Sequence, residues 1–347
     1  MKTTLRSLGG SSAWIFSILV NLAVCGADGP YHFLKEIPVG GEGGWDYLSV
    51  DEANRRLYVA HATKVVALDL DKNEVVGEVG DTPGVHGFAI APDLQRGFSS
   101  NGREAKAGIV DLQTLKTLSK VATGQNPDAI LYEPGQKEVY AFNGRGNSAT
   151  VFNAVSGEVV ATVTLPGKPE FAVSDPDAGR VYNNIEDKNV VVAIDTKTHQ
   201  VVNTWPIAPG EGASGMAFDR AHHRLFLGCG NKLMVMMDST SGKVIASVPI
   251  GDGVDANVFD PSSQLAFSSN GGEGTVTIAH EDTPEKLTVV QTLATERGAR
   301  TMALDPKTHR IYLGAVKYES QPNQTPATPR GRPRAVPNSF RILVYGQ

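Results

Sequence analysis

Seven polar side chains, Asp46, His86, Asp128, Glu170, Ser214, Asp255 and Arg300, follow one another at intervals of 40, 42, 42, 44, 41 and 45 residues. Four of the seven are acidic. Carboxylates brought to one place suit a hard cation such as Ca²⁺, or a small polar or cationic ligand. His86, Glu170 and Arg300 also supply the residue types of a base, an acid and an oxyanion stabiliser. The plain alternative is structural. Pro83-Gly84, Asn126-Pro127 and Lys168-Pro169 lie just ahead of three of these positions. Short polar side chains beside such turns commonly bond the local backbone.

A repeat is what would bring the seven together. Each lies twelve residues ahead of an aromatic in a polar–aliphatic–aromatic signature: Arg56-Leu57-Tyr58, Arg96-Gly97-Phe98, Glu138-Val139-Tyr140, Arg180-Val181-Tyr182, Arg224-Leu225-Phe226, Gln264-Leu265-Ala266-Phe267 and Arg310-Ile311-Tyr312. Upstream of each sits an apolar run ending in an acidic or proline turn, such as Asp175-Pro176 or Asp260-Pro261. Downstream comes a β-branched run such as Val190-Val191-Val192-Ala193-Ile194-Asp195, then a turn and a fourth apolar segment. Short β-branched and aromatic runs bounded by Gly, Pro, Asn and Asp are strands, and no window carries a helical period. Four antiparallel strands per unit, seven times over, predict an all-β, seven-bladed β-propeller. Phe340–Tyr345 has the third-strand pattern and His32–Val39 the fourth. The N-terminal strand is therefore expected to close the last blade and leave no open edge.

In that topology the starts of the first strands and the ends of the second strands emerge at one mouth of the central channel. The ring at the first-strand starts is then joined by second-strand exits His61, Asn101, Asn143, Asn183, Asn184 and Asn270. The predicted ligand-binding set is Asp46, His86, Asp128, Glu170, Asp255, Arg300, His61, Asn101, Asn143 and Asn270, with a small ligand, a metal ion or a protein partner as the occupant. No catalytic residue and no cofactor is assigned.

The repeat resembles the YVTN-type propeller repeat of the YncE-like family. Leu57-Tyr58-Val59-Ala60-His61 and Phe98-Ser99-Ser100-Asn101 stand in the place of the name-giving tetrapeptide, and the similarity runs over 31–347. It differs from the WD40 repeat, since neither a Gly-His start nor a Trp-Asp end recurs. The resemblance implies an exported propeller and says little about activity.

Composition agrees with export. Lys2 and Arg6 precede an apolar run from Trp14 to Val24, too short for a span, with Cys25-Gly26-Ala27 suiting cleavage before Asp28. Residues 1–27 are read as a signal peptide, lipidation at Cys25 being the lesser alternative, and 28–347 as one domain in the periplasm or secreted. The net charge of −5 becomes more negative once Lys2 and Arg6 leave, which argues against duplex nucleic acid as a partner. No membrane span is expected after that removal, and a monomer is the expected state. Cys229 would be the remaining cysteine, so no disulfide framework or CxxC site is available.

Other candidates read as structural. Met234, Met236 and Met237 suit core filling better than copper ligation. His222-His223, His199 and His309 fall in turns on the opposite face and are expected to be solvated. Cys229 is expected to be a buried, inert thiol. Residues 317–339, with Arg330, Arg332 and Arg334 among several prolines, replace a short turn of the last blade. They form either an irregular insertion or a basic flap over the acidic mouth. The leading functional expectation is a binding or scaffold propeller. The alternative is a propeller enzyme, such as a lactonase-like hydrolase or a quinoprotein-type dehydrogenase component.

Overall fold

The computed structural model describes residues 29–319 and 334–347. The predicted signal peptide, Cys25, Arg330 and Arg332 lie outside the described residues. Seven four-stranded antiparallel sheets are arranged as the blades of a ring. Each of the first six blades takes its strands in sequence order from the channel outward, as in Trp45–Asp51, Arg56–His61, Lys64–Asp69 and Glu74–Val79 of the first. The seventh combines Met302–Asp305, Arg310–Ala315 and Arg341–Gly346 with the N-terminal strand His32–Pro38. That outer strand pairs antiparallel from His32 opposite Gly346 to Pro38 opposite Arg341, so the predicted closure is present.

The periodic aromatic is what holds neighbouring blades together. Tyr58, Phe98, Tyr140, Tyr182, Phe226, Phe267 and Tyr312 are all buried. Tyr58 packs on Phe88 of the next blade at 4.7 Å, and Phe226 on Phe259 at 4.9 Å. Each such ring removes a large apolar area from water, which accounts for its recurrence. Met234 and Met236 fill one inter-blade core and Met237 the neighbouring one, as expected. Cys229 is buried, and burial pushes its thiol up to about 12, which keeps it protonated.

The turn ahead of each second strand repeats as strictly as the aromatic. Arg55, Gln95, Lys137, Gly179, His223, Gln264 and His309 all have positive φ, between 51° and 64°. The carboxylate ending the first strand supports this left-handed turn in several blades. Asp51 accepts the Asn54 amide, Glu133 those of Gly135 and Gln136, and Asp260 that of Ser262.

The solvated-histidine reading needs correction. His199 Nε2 lies 2.8 Å from Glu138 of the preceding blade, His309 Nδ1 lies 2.7 Å from Asp260 of the preceding blade, and His222 Nδ1 lies 2.5 Å from Asp219. These turns face carboxylates ending or starting strands nearby, so His199, His222 and His309 bond them while part of each ring stays in water, and His223 is exposed as expected. The root of the 317–339 insertion is a short ladder, with Tyr318 opposite Ala335 and the Val336 amide donating to the Lys317 carbonyl. Asn338 Oδ1 accepts the Gly41 amide, which fixes the root against the glycine-rich approach to the first blade.

Candidate functional site

Six ring residues occupy the second position of an innermost strand: Asp46, His86, Asp128, Glu170, Ser214 and Asp255. Arg300 precedes its strand by two residues. In each of the six blades the ladder to the second strand slips beside this position, as between Trp45 and Leu48 or Pro127 and Ile130. A slip of this kind frees a residue from regular pairing and re-aims its side chain. Here it turns the ring residues toward the channel mouth.

Close polar contacts link the ring residues, between blades at His86 and Arg300 and within the fourth blade at Lys168. His86 Nδ1 lies 2.7 Å from Asp46 Oδ2 and 3.6 Å from Asp128 Oδ1. Arg300 Nε donates to Asp255 Oδ2 at 2.6 Å. Lys168 Nζ lies 2.5 Å from both Glu170 and Glu186. Ser214 is drawn aside, its hydroxyl donating to the Val254 carbonyl of the next blade. A mouth cavity of about 640 Å³ opens over Asp46, His86 and Asn126, with exposed Arg103 and Arg145 on its rim.

Burial and crowding set the protonation of the ring. Burial lowers the His86 imidazole, but the Asp46 hydrogen bond and the charges of Asp128 and Asp46 carry it up to about 9. Burial, then the Asp128 charge, push Glu170 up to about 8 against the pull of Lys168. Burial raises Asp255 to about 6 despite Arg300, and Asp128 is also raised, mainly by burial. Three carboxyls in one mouth therefore resist ionisation. Burial is the leading cause in each, with the Asp128 charge second at Glu170.

The second-strand exits do not join this ring. His61 is 1% exposed and stacks on Phe340 at 4.5 Å. Asn101 bonds Glu104, Asn143 bonds Ser148 and Thr150, and Asn270 contacts Thr275 and Thr277, all three side chains being buried. Asn183 and Asn184 donate to carbonyls of Glu170 and Phe171, and of Ser214 and Gly215. These amides hold strands and blades together beneath the mouth.

Sequence reasoning missed the floor. Tyr47, beside Asp46, reaches across the channel to Phe171 of the fourth blade, ring to ring at 5.3 Å and edge-on. The residues following the other ring positions are Gly87, Ala129, Gly215, Ala256 and Thr301, so two large rings among small neighbours were the available signal. Burial and the charges of Asp128, Glu170, Asp46 and Asp255 push the Tyr47 hydroxyl well up, which places it under the ring. Below it an apolar cavity of about 450 Å³ is lined by Leu48, Phe88, Ile130, Val173 and Phe218. Lys168, the ring's third cation, was also missed as a site residue.

A closed ring of seven sheets with an ion-paired mouth defines a seven-bladed β-propeller. The chain resembles YncE over part of its length. It is 23% identical over 148 residues to the uncharacterized protein YncE of Salmonella typhi, a match spanning 41% of this chain and 42% of that protein. No protein-family model matches the chain. Among solved structures it is similar to a chain of Kuenenia stuttgartiensis hydrazine synthase, with a TM-score of 0.69 and 18% identity over 79% of this chain and 94% of that one. A chain of the mitotic checkpoint complex superposes with a TM-score of 0.73 and 13% identity, covering 100% of this chain and 99% of the other. At such identities these likenesses speak for the fold alone.

Proposed function

We propose that this chain is an exported binding protein, acting as a single closed ring, whose mouth takes a small cationic ligand, a divalent ion being the simplest. The observation that carries this reading is the charge state of the ring. Asp128, Glu170 and Asp255, from three different blades, are all held above their ordinary pKa beside Asp46. A cation seated among them would offset the burial that now holds these carboxyls up. Asp46, His86 and Asp128 also bring one ligand atom each within 4.8 Å of one another. His86, raised to about 9, holds at neutral pH a proton that it donates to Asp46 and that a metal ion would displace. That favours holding a ligand over base catalysis.

The test is thermal unfolding of the purified protein with Ca²⁺, with a polyamine, and with chelator, beside an Asp128→Asn/Asp255→Asn variant. The reading expects the melting temperature to rise with a cation and the variant to lose that response. Identical curves for both proteins under every condition would leave the ring as a solvated, self-paired rim.

A further inference from the structure

The face opposite the mouth carries a second charged cluster, built differently. Asp219 ends the first strand of the fifth blade, His222 lies in the turn after it, and Glu281 lies on the third strand, Thr275–Thr283, of the sixth. Asp219 is 3% exposed, and Glu281 is fully buried with neither of its own carboxylate oxygens hydrogen-bonded. His222 Nδ1 lies 2.5 Å from Asp219 Oδ2 and 3.9 Å from Glu281 Oε1.

The repeat shows how unusual Glu281 is. Its amide donates to the Gln264 carbonyl, the bond that Leu70, Leu112, Ala154, Thr196 and Ser239 make to the corresponding residue of their own blades. Five blades thus place an apolar or small side chain where the sixth places a glutamate. The neighbouring blade junctions sharpen the contrast. The first-strand acid Asp260 receives His309 from the following blade at 2.7 Å, and Asp305 receives Arg55 at 2.8 Å. Asp219 receives from its following blade a carboxylate instead. The nearby cation, Arg224, is committed to Asp238 at 2.5 Å and to the carbonyls of Pro284 and His222, with Glu285 at 3.8 Å.

Two buried carboxylates that converge on one part-exposed imidazole, with no other uncommitted cation beside them among the described residues, leave a negative charge to be neutralised. We propose that Asp219, His222 and Glu281 bind a divalent transition-metal ion of the Zn²⁺ class at the junction of the fifth and sixth blades. One imidazole nitrogen and two carboxylate oxygens are a borderline donor set suited to such an ion. The three ligand atoms lie within 4.8 Å of one another, and metal–ligand distances of about 2.0–2.2 Å need only small closures. His222, half exposed in its turn, can swing to release Asp219 to the ion. The second oxygen of Asp219 already accepts the Ala221 amide, which fixes the carboxylate's orientation.

The experiment is equilibrium dialysis and thermal unfolding of the purified protein with Zn²⁺, beside three variants. Glu281→Leu installs the residue that the first two blades carry at this place. His222→Ala alters an exposed turn, and Asp128→Asn reports on the mouth. The wild type should bind Zn²⁺ and melt higher with it. In an Asp128→Asn background, which takes that ligand atom out of the mouth, Glu281→Leu and His222→Ala should each weaken binding by about 100-fold or more. Zn²⁺ binding that survives Glu281→Leu and His222→Ala in that background would overturn the proposal. So would a wild type indifferent to Zn²⁺ whose Glu281→Leu variant melts higher, because the two carboxyls would then share a proton.

Discussion

His86 of the second blade and Asp46 of the first meet at 2.7 Å, with Asp128 of the third 3.6 Å away, so one imidazole ties three blades at the mouth. The folded protein holds this histidine at about 9, above the ordinary value near 6.5, because the two carboxylates overcome the cost of burying it. A raised folded pKa means that the folded state binds the proton more tightly. The stabilisation is complete below about pH 6.5 and is lost as pH rises through 9. Its size is about 1–3 kcal/mol. Proton NMR of the imidazole should show a midpoint near 9 in the wild type. In Asp46→Asn it should fall toward the ordinary value, and an unchanged midpoint would remove Asp46 as the cause.

Glu170 gives a prediction of the same sign from the opposite charge type. Its carboxyl is held up at about 8 by burial and the Asp128 charge, against about 4.5 when free. Between those values the unfolded chain has released the proton and the folded chain has not, so stability falls as pH rises across the window. Glu170→Gln cannot ionise, and Lys168 keeps Glu186 as a partner at 2.5 Å. The variant should match the wild type near pH 4 and exceed it by about 1 kcal/mol at pH 8.5, measured by urea unfolding. A variant less stable than the wild type at pH 8.5 would mean that the Lys168 pair dominates.

These two residues also show what was legible in the sequence. Counting back from a buried aromatic found them because the aromatic is fixed by the inter-blade core, while the slip in each first strand keeps the offset constant. The second-strand exits failed for the converse reason. At a strand end a one-residue change of register moves a side chain from mouth to sheet interior. Asn143, opposite Pro127, folds its amide onto Thr150 instead of facing the channel. The turn histidines were misread because their partners, Glu138 for His199 and Asp260 for His309, belong to the preceding blade and no local pattern reveals them. Glu281 was within reach: aligning the repeats sets it against Leu70, Leu112 and Ala154.

Tyr47 separates the polar mouth from the apolar half of the channel by reaching Phe171. Tyr47→Ala should open the cavity of about 450 Å³, which Tyr47 and Phe171 both line, toward the mouth. The lost packing should cost about 2–4 kcal/mol in denaturant unfolding. The opened apolar wall should also take up an environment-sensitive fluorescent dye that the wild type leaves in solution. Equal dye signals from both proteins would mean that other side chains seal the channel.

Arg55 and Asp305 fasten the first blade to the last. The guanidinium donates to both carboxylate oxygens at 2.8 Å, and Asp305 is fully buried. Burial alone would raise Asp305, but Arg55 and Thr308 bring it below its ordinary value, so the carboxylate stays ionised inside the fold. Removing the arginine leaves that charge buried without its main partner, a loss of about 3–5 kcal/mol. Arg55→Ala should lower stability by that amount at pH 7, and Arg55→Lys should recover only part, since an ammonium cannot reproduce the two parallel bonds. The double variant Arg55→Ala/Asp305→Asn should recover stability, because the buried charge leaves with its partner. A double variant as weak as Arg55→Ala would show that the turn contacts of Asp305 with Lys307 and Thr308, rather than the latch between blades, carry the cost.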